Sequence, residues 1–195
     1  MNKSLLIAGI VAALLVGALL WGLGGPSQNG GGNAVIGGDF TLTDQTGKQV
    51  SDKDFRGRYM LIYFGYTFCP EICPTELQDI SEALDLLGDD AAEIAPLFIT
   101  VDPDRDTVKQ MSEYVPLFHK SLIGLTGTKD QIAAVAKAYR VYYARQGEGS
   151  SYEMDHSSLI YFMDKQGQYA AHFAYGVKPD EIARRIREVM AKKRS

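Results

Sequence analysis

Two cysteines, the only ones among 195 residues, stand four apart in Gly65-Tyr66-Thr67-Phe68-Cys69-Pro70-Glu71-Ile72-Cys73-Pro74. Thiols at i and i+4 share one face of a helical turn, with Cβ atoms about 5–6 Å apart. From there they can grip one soft metal ion or close on each other as a disulfide. Cys69 reads as a cap-like residue with Pro70 at the first helical position, where a missing N–H costs nothing. Pro74 cannot donate to the Pro70 carbonyl, so the regular helix is expected to restart near Pro74. A thiol at a helix N-terminus gives up its proton more readily, which favours metal ligation and disulfide exchange alike. A purely structural disulfide is the plainer alternative, although so small a loop constrains the unfolded chain little.

A third ligand would separate these chemistries, and the chain has three histidines. His119, in Pro116-Leu117-Phe118-His119-Lys120, reads as a surface helix end, and His172 as a residue within a strand. His156, in Tyr152-Glu153-Met154-Asp155-His156-Ser157-Ser158, stands immediately before an apolar strand. Residue type alone selects none of them.

The elements that must position these groups alternate along the chain. Residues 39–43 and 49–50 flank the turn signal Asp44-Gln45-Thr46-Gly47 and read as a hairpin. Residues 59–64 and 94–101 read as buried strands, 122–125 as a short strand. Residues 74–87 carry a helical stripe (Leu77, Ile80, Leu84, Leu87) that stops at Gly88. Helices are expected over 107–118, interrupted near Pro116, over 130–139 and over 179–190. Residues 159–163 and 169–174, split by Asp164-Lys165-Gln166-Gly167, form another hairpin. Alternating strands and helices with a terminal hairpin imply an α/β sheet covered by helices. Sites in such sheets gather beyond the carboxyl ends of the strands, and Cys69 lies just past one.

The N-terminus differs in kind. Residues 5–23 contain no charge and no proline, and at about 1.5 Å per residue they span the hydrocarbon of a bilayer. They are read as a transmembrane anchor behind a cytoplasmic segment, residues 1–4. A cleavable signal peptide is the alternative, with a shorter apolar stretch and a small-residue cleavage site. Trp21 suits the membrane interface, and Lys3 as the only nearby cation orients the N-terminus to the cytoplasm. Residues 24–34 form a flexible Gly-rich linker, and residues 35–195 the globular domain. The absence of an Arg/Ser-rich transit segment favours a bacterial inner membrane, with the domain facing the periplasm or cell exterior. Apolar content of 46% and charged content of 23% describe an ordinary globular protein, and a net charge of -4 gives no reason to expect nucleic acid. The basic run Arg184-Arg185-Ile186-Arg187 through Lys192-Lys193-Arg194 reads as the solvated face of a last helix rather than a docking patch.

The Gly-Tyr-Thr-Phe-Cys-Pro-Glu-Ile-Cys-Pro segment, Thr100-Val101-Asp102-Pro103-Asp104-Arg105-Asp106-Thr107, and Asp155-His156-Ser157 before a strand occur together and in order. In this combination the chain resembles the Sco/SenC family of copper-binding, thioredoxin-like proteins over residues 35–190. Cys-x-x-x-Cys alone is a weak signal; the two further segments make it specific. The resemblance implies a thioredoxin-like fold with a central mixed sheet flanked by helices, and a copper site made by Cys69, Cys73 and His156. It also implies a part in building the binuclear copper centre of cytochrome c oxidase subunit II. Subunit II and a copper donor protein are therefore the expected partners. Asp102 and Asp155 could orient His156 or the cysteine loop; Asp102 suits an ordinary turn before Pro103 as well. Met154 offers a thioether near His156, with packing as its plainer use.

Two thiolates and an imidazole form a soft set that suits Cu(I) and accepts Cu(II). A structural zinc site would want four protein ligands, and there is no third cysteine. Metal binding needs both thiols reduced, so a Cys69–Cys73 disulfide would switch the site off. A membrane-anchored copper metallochaperone is therefore expected, rather than a turnover enzyme. The alternative is a thiol-disulfide oxidoreductase that keeps the acceptor's cysteines reduced. Thioredoxin-type enzymes use Cys-x-x-Cys and a cis-proline before the facing strand; the longer spacing and Asp155-His156-Ser157-Ser158 at about that place favour metal. A thiol peroxidase, with a single reactive cysteine, is the weakest of the three classes.

Overall fold

Strands whose side chains are covered on both sides read as continuous apolar runs, and two such runs form the centre of this fold. Every residue of β3 (Tyr59–Gly65) and of β4 (Ile94–Thr100) is buried. The two pair in parallel, with Tyr63 opposite Phe98 and Gly65 opposite Thr100. A computed structural model describes residues 36–149 and 151–194. The expected anchor (5–23) and linker (24–34) lie outside the described residues. Among the described residues no helix is long and apolar enough to cross a membrane.

The hairpin β1 (Thr41–Asp44) and β2 (Gln49–Ser51) joins the sheet through β5 (Ile123–Thr126), which runs parallel to β4. A small antiparallel sheet of β6 (Tyr143–Gln146) and β7 (Glu153–His156) stands apart. On the other side of β3 lies β8 (Leu159–Met163), antiparallel, and then β9 (Tyr169–Ala174). The resulting order is β2-β1-β5-β4-β3-β8-β9.

Helix α1 (Ile72–Leu87) follows β3 and buries the expected stripe of Leu77, Ile80, Leu84 and Leu87. It ends at Gly88, whose φ of 57° favours glycine. Helices α2 (Val108–Tyr114) and α3 (Lys129–Ala138) are capped by Thr107 and Thr128, whose hydroxyls accept the N–H groups of Gln110 and Gln131. The last helix, α4 (Pro179–Arg194), packs against α1. Alternation along β3 assigns the layers. Gly65 meets Cys73 of α1 on one face, while Phe64 meets Tyr139, just after α3, on the other. The result is a thioredoxin-like α/β fold: a central mixed sheet flanked by helices.

The expected elements are met with some differences. The first helix begins at Ile72, two residues before Pro74, because a proline within the first turn lacks only an N–H that has no intrahelical acceptor. The interruption expected near Pro116 is present: α2 stops at Tyr114 and a 3-10 turn, Val115–Leu117, follows. The pair β6–β7 was not expected, and His156 is the last residue of β7 as well as standing just before β8. Much of the basic C-terminal run is paired: Arg184 with Glu181 and Glu188, Arg187 with Asp90, Lys193 with Asp164.

Opposite faces of α1 should answer differently to truncation. Leu77 is fully buried and Leu86 is 46% exposed. Leu77→Ala is expected to cost about 2–5 kcal/mol of stability in chemical denaturation, and Leu86→Ala less than about 0.5 kcal/mol.

Candidate metal centre

Past the end of β3 the chain turns through Tyr66–Glu71, with the Cys69 N–H donating to the Tyr66 carbonyl, before α1 begins. Cys69 is half-buried in this turn and Cys73 is fully buried in the first turn of the helix. By position the cap of α1 is Glu71. The capping interaction comes from Cys69, whose Sγ accepts the Cys73 N–H at 3.3 Å. The unpaired N–H groups and the positive end of the helix dipole thus meet a sulfur, the arrangement that stabilises a thiolate.

Gly65 makes room for the second sulfur. A Cβ on Gly65 would stand 2.8 Å from Cys73 Sγ, 3.0 Å from the Phe98 ring and 3.0 Å from Tyr63 Cε1. Across the same gap comes His156, whose Nε2 lies 3.4 Å from Cys73 Sγ. The two sulfurs and one imidazole nitrogen all lie within 4.8 Å of one another. His156 Nδ1 is 3.2 Å from the Ser157 carbonyl oxygen, which can only accept, so a proton on Nδ1 is anchored there and leaves Nε2 available to a metal. Tyr63 and Tyr66 present their rings to the imidazole at nearly right angles, with centroids 6.2 and 5.9 Å away.

The thiols are not equivalent. The Cys73 thiol donates toward Cys69, which holds the Cys69 pKa well below the usual thiol range. Burial opposes this, while the His156 ring and then the helix-start N–H groups pull the same way. Cys73 moves upward, because its proton is shared with Cys69 and because it is buried. The shifts are opposite, so Cys69 gives up a proton more readily than Cys73. Both are free cysteines in this structure.

Asp106 positions the turn. Fully buried beyond β4, its carboxylate accepts from the Thr67 N–H (3.0 Å), the Thr67 hydroxyl (2.6 Å) and the Thr100 hydroxyl (2.6 Å). Burial raises its pKa, with these bonds pulling the other way. Asp102 does not touch the sulfurs or His156. It is buried, caps the turn before α2, and accepts from the Tyr152 hydroxyl (2.6 Å) and Arg105. Arg105 in turn donates to the Tyr152 carbonyl (2.9 Å) and lies over the rings of Tyr152 and Phe68, at 3.7 and 4.7 Å. Asp102 thus links the cysteine turn to the segment entering β7, at one remove from the donors. Asp155 is exposed on β7, and the Nδ1 of His156 is turned to Ser157 instead. Met154 is partly buried and packs against the core. His119 is tied to Ser121 and Asp85, and His172 to Tyr169, both away from the sulfurs.

Sequence reasoning passed over Asp106, Gly65 and Tyr63. Asp106 stood inside a quoted segment, and its signal was an acidic residue just beyond a buried strand adjacent to the one leading into the cysteines. Cys69 and His156 open onto a cleft of 220 Å³ lined by Tyr66, Pro70, Ile72, Met154 and Ser158 among others, with Cys73 buried behind them. That volume admits one more coordinating side chain, not a folded domain. Two sulfurs, one nitrogen and an open side make a soft, low-coordinate donor set.

The SCO1/SenC family description matches residues 28–191, and the chain belongs to that family. An SCO2-like protein of Rickettsia felis is 43% identical over 153 residues, 77% of this chain and 75% of that protein. The copper-bound crystal structure of Arabidopsis thaliana ScoI superposes with a TM-score of 0.77 at 39% identity, covering 80% of this chain and 99% of that one. Copper-bound Bradyrhizobium japonicum ScoI gives 0.74 at 44% identity, covering 79% and 99%.

The unequal thiols set how metal binding responds to pH. The proton a metal must displace is chiefly that of Cys73, because Cys69 releases its own more readily. Loading with Cu(I) near neutral pH is expected to release about one proton from the pair, and apparent affinity should rise with pH. Calorimetry in buffers of different ionisation enthalpy counts the proton; two released, or affinity falling as pH rises, contradicts the assignment.

Proposed function

We propose that this protein is a copper metallochaperone that carries one copper ion on Cys69, Cys73 and His156. It passes the ion to the binuclear copper centre of cytochrome c oxidase subunit II. The observation that carries the reading is the convergence of two sulfurs and one imidazole nitrogen within 4.8 Å at the mouth of an open cleft. The copper carried by the similar ScoI proteins supports it. Three ligands leave copper open to attack by an incoming thiolate or imidazole, so transfer can proceed by exchange of ligands without the ion ever being free. The half-exposed Cys69 is the ligand the acceptor reaches first, and Cys73 and His156 let go last. An N-terminal anchor at 5–23 with the linker 24–34 would hold the domain outside the cytoplasm of a bacterial cell, beside a membrane-bound acceptor. A copper donor protein would load the site.

Oxidation of the pair to a Cys69–Cys73 disulfide removes two of three ligands and is the off state of this carrier. A second reading follows from the thiol asymmetry: an accessible thiolate beside a buried thiol also suits disulfide exchange. Cys69 would attack an acceptor disulfide to give a mixed disulfide. Cys73 would then displace the acceptor, leaving two acceptor thiols and an oxidised pair.

The two readings part at His156. The reduced protein is expected to bind Cu(I) at one per chain, and His156→Ala to weaken binding by at least about tenfold. Competition against a chromogenic Cu(I) chelator measures both. No stoichiometric binding by the wild type, or an unweakened variant, overturns the carrier. Disulfide turnover that survives His156→Ala favours the reductase.

A further inference from the structure

Among the described residues three buried polar atoms lack a hydrogen-bond partner: Tyr63 Oη, Arg105 Nη2 and Tyr114 Oη. A buried hydroxyl without a partner costs about 1–3 kcal/mol, so its retention needs a reason. For Tyr63 the reason lies in its surroundings. The residue is fully buried on β3, on the face that meets α1. Its ring edge and Cys73 Sγ flank the same gap above Gly65, and its other neighbours are the rings of Phe98 and His156. The phenol stands beside the Cys73 sulfur without meeting hydrogen-bond geometry. A protonated thiol sulfur is a weak acceptor. A metal-bound thiolate is a good one, because it keeps lone pairs and carries negative charge.

We propose that Tyr63 is a positioning residue of the copper site, whose hydroxyl donates a hydrogen bond to the Cys73 sulfur when copper is bound there. The inference rests on the proposed carrier function and deepens it. When Cu(I) enters, the Cys73 S–H bond breaks, the proton leaves to solvent and the sulfur keeps the electron pair that forms the S–Cu bond. No electron passes to or from copper. The Tyr63 O–H bond stays intact, and a small rotation within the pocket turns it onto the new acceptor. A hydroxyl unsatisfied before loading and satisfied after it favours the loaded form at the expense of the empty one. Tyr114, whose unpartnered hydroxyl feels the cysteines only through charge, supplies the internal comparison.

Tyr63→Phe removes one oxygen and nothing else. Metal-free Tyr63→Phe is expected to melt at or above the wild-type temperature, since an unpaired polar atom is gone, and yet to bind Cu(I) about 10–100-fold more weakly. With Cu(II) its thiolate-to-copper absorption should move to longer wavelength, because the sulfur electrons are no longer held by a donor. Tyr114→Phe should gain stability with copper affinity unchanged. The inference falls if Tyr63→Phe binds Cu(I) as tightly as wild type, or if Tyr114→Phe weakens binding equally. It falls too if weaker binding comes only with a lower melting temperature and an unmoved band. Wild type that binds no copper overturns the carrier reading itself, so the two failures are told apart.

Discussion

The contact between Cys73 Sγ and His156 Nε2 joins residues 83 apart in sequence, at 3.4 Å and partly buried. Two segments must arrive there from opposite directions: α1 from the end of β3, and β7 on its way into β8. The pairing of β8 against β3, with Ile160 opposite Tyr63, sets where His156 can reach. The missing side chain of Gly65 sets how closely the Cys73 sulfur can approach the sheet. A methyl group at Gly65 would drive the sulfur out, and a shifted β3–β8 register would carry the imidazole away with it.

Both segments are then tied to a third. The stretch after β4 sends Asp106 under the cysteine turn, onto Thr67, while Asp102 and Arg105 hold Tyr152 at the entrance to β7. Two acidic groups four residues apart therefore secure the two halves of the donor set. Neither touches a donor atom. Their burial makes the ties stiff, since breaking one would strand a carboxylate or a guanidinium without water. A stiff frame around one open side suits the proposed carrier, which would hold a soft ion and then release it to an incoming ligand.

Much of the frame was legible in the sequence, for physical reasons. Strands β3 and β4 are unbroken apolar runs, and α1 carries a stripe ending at a glycine, so burial and period announce them. The thiol pair was legible through its spacing. His156 was not, on residue type, and only the resemblance to a family singled it out. The β6–β7 pair was invisible because Tyr143-Ala144-Arg145-Gln146 is half exposed and shows no apolar alternation; backbone pairing and the clamp on Tyr152 hold it. Gly65, Tyr63 and Asp106 act through contacts across the fold, which no local pattern records. The Asp106–Thr67 tie spans 39 residues.

In the proposed carrier one copper ion is held by both sulfurs and the imidazole at once. X-ray absorption at the copper edge of the Cu(I)-loaded protein tests it directly. The account expects two sulfur scatterers at about 2.2–2.3 Å and one imidazole nitrogen at about 2.0 Å, near the sulfur and nitrogen distances usual for soft first-row metal sites. In His156→Ala the nitrogen shell should be lost while both sulfurs remain. A spectrum with a single sulfur, or a nitrogen shell that persists without His156, would contradict it.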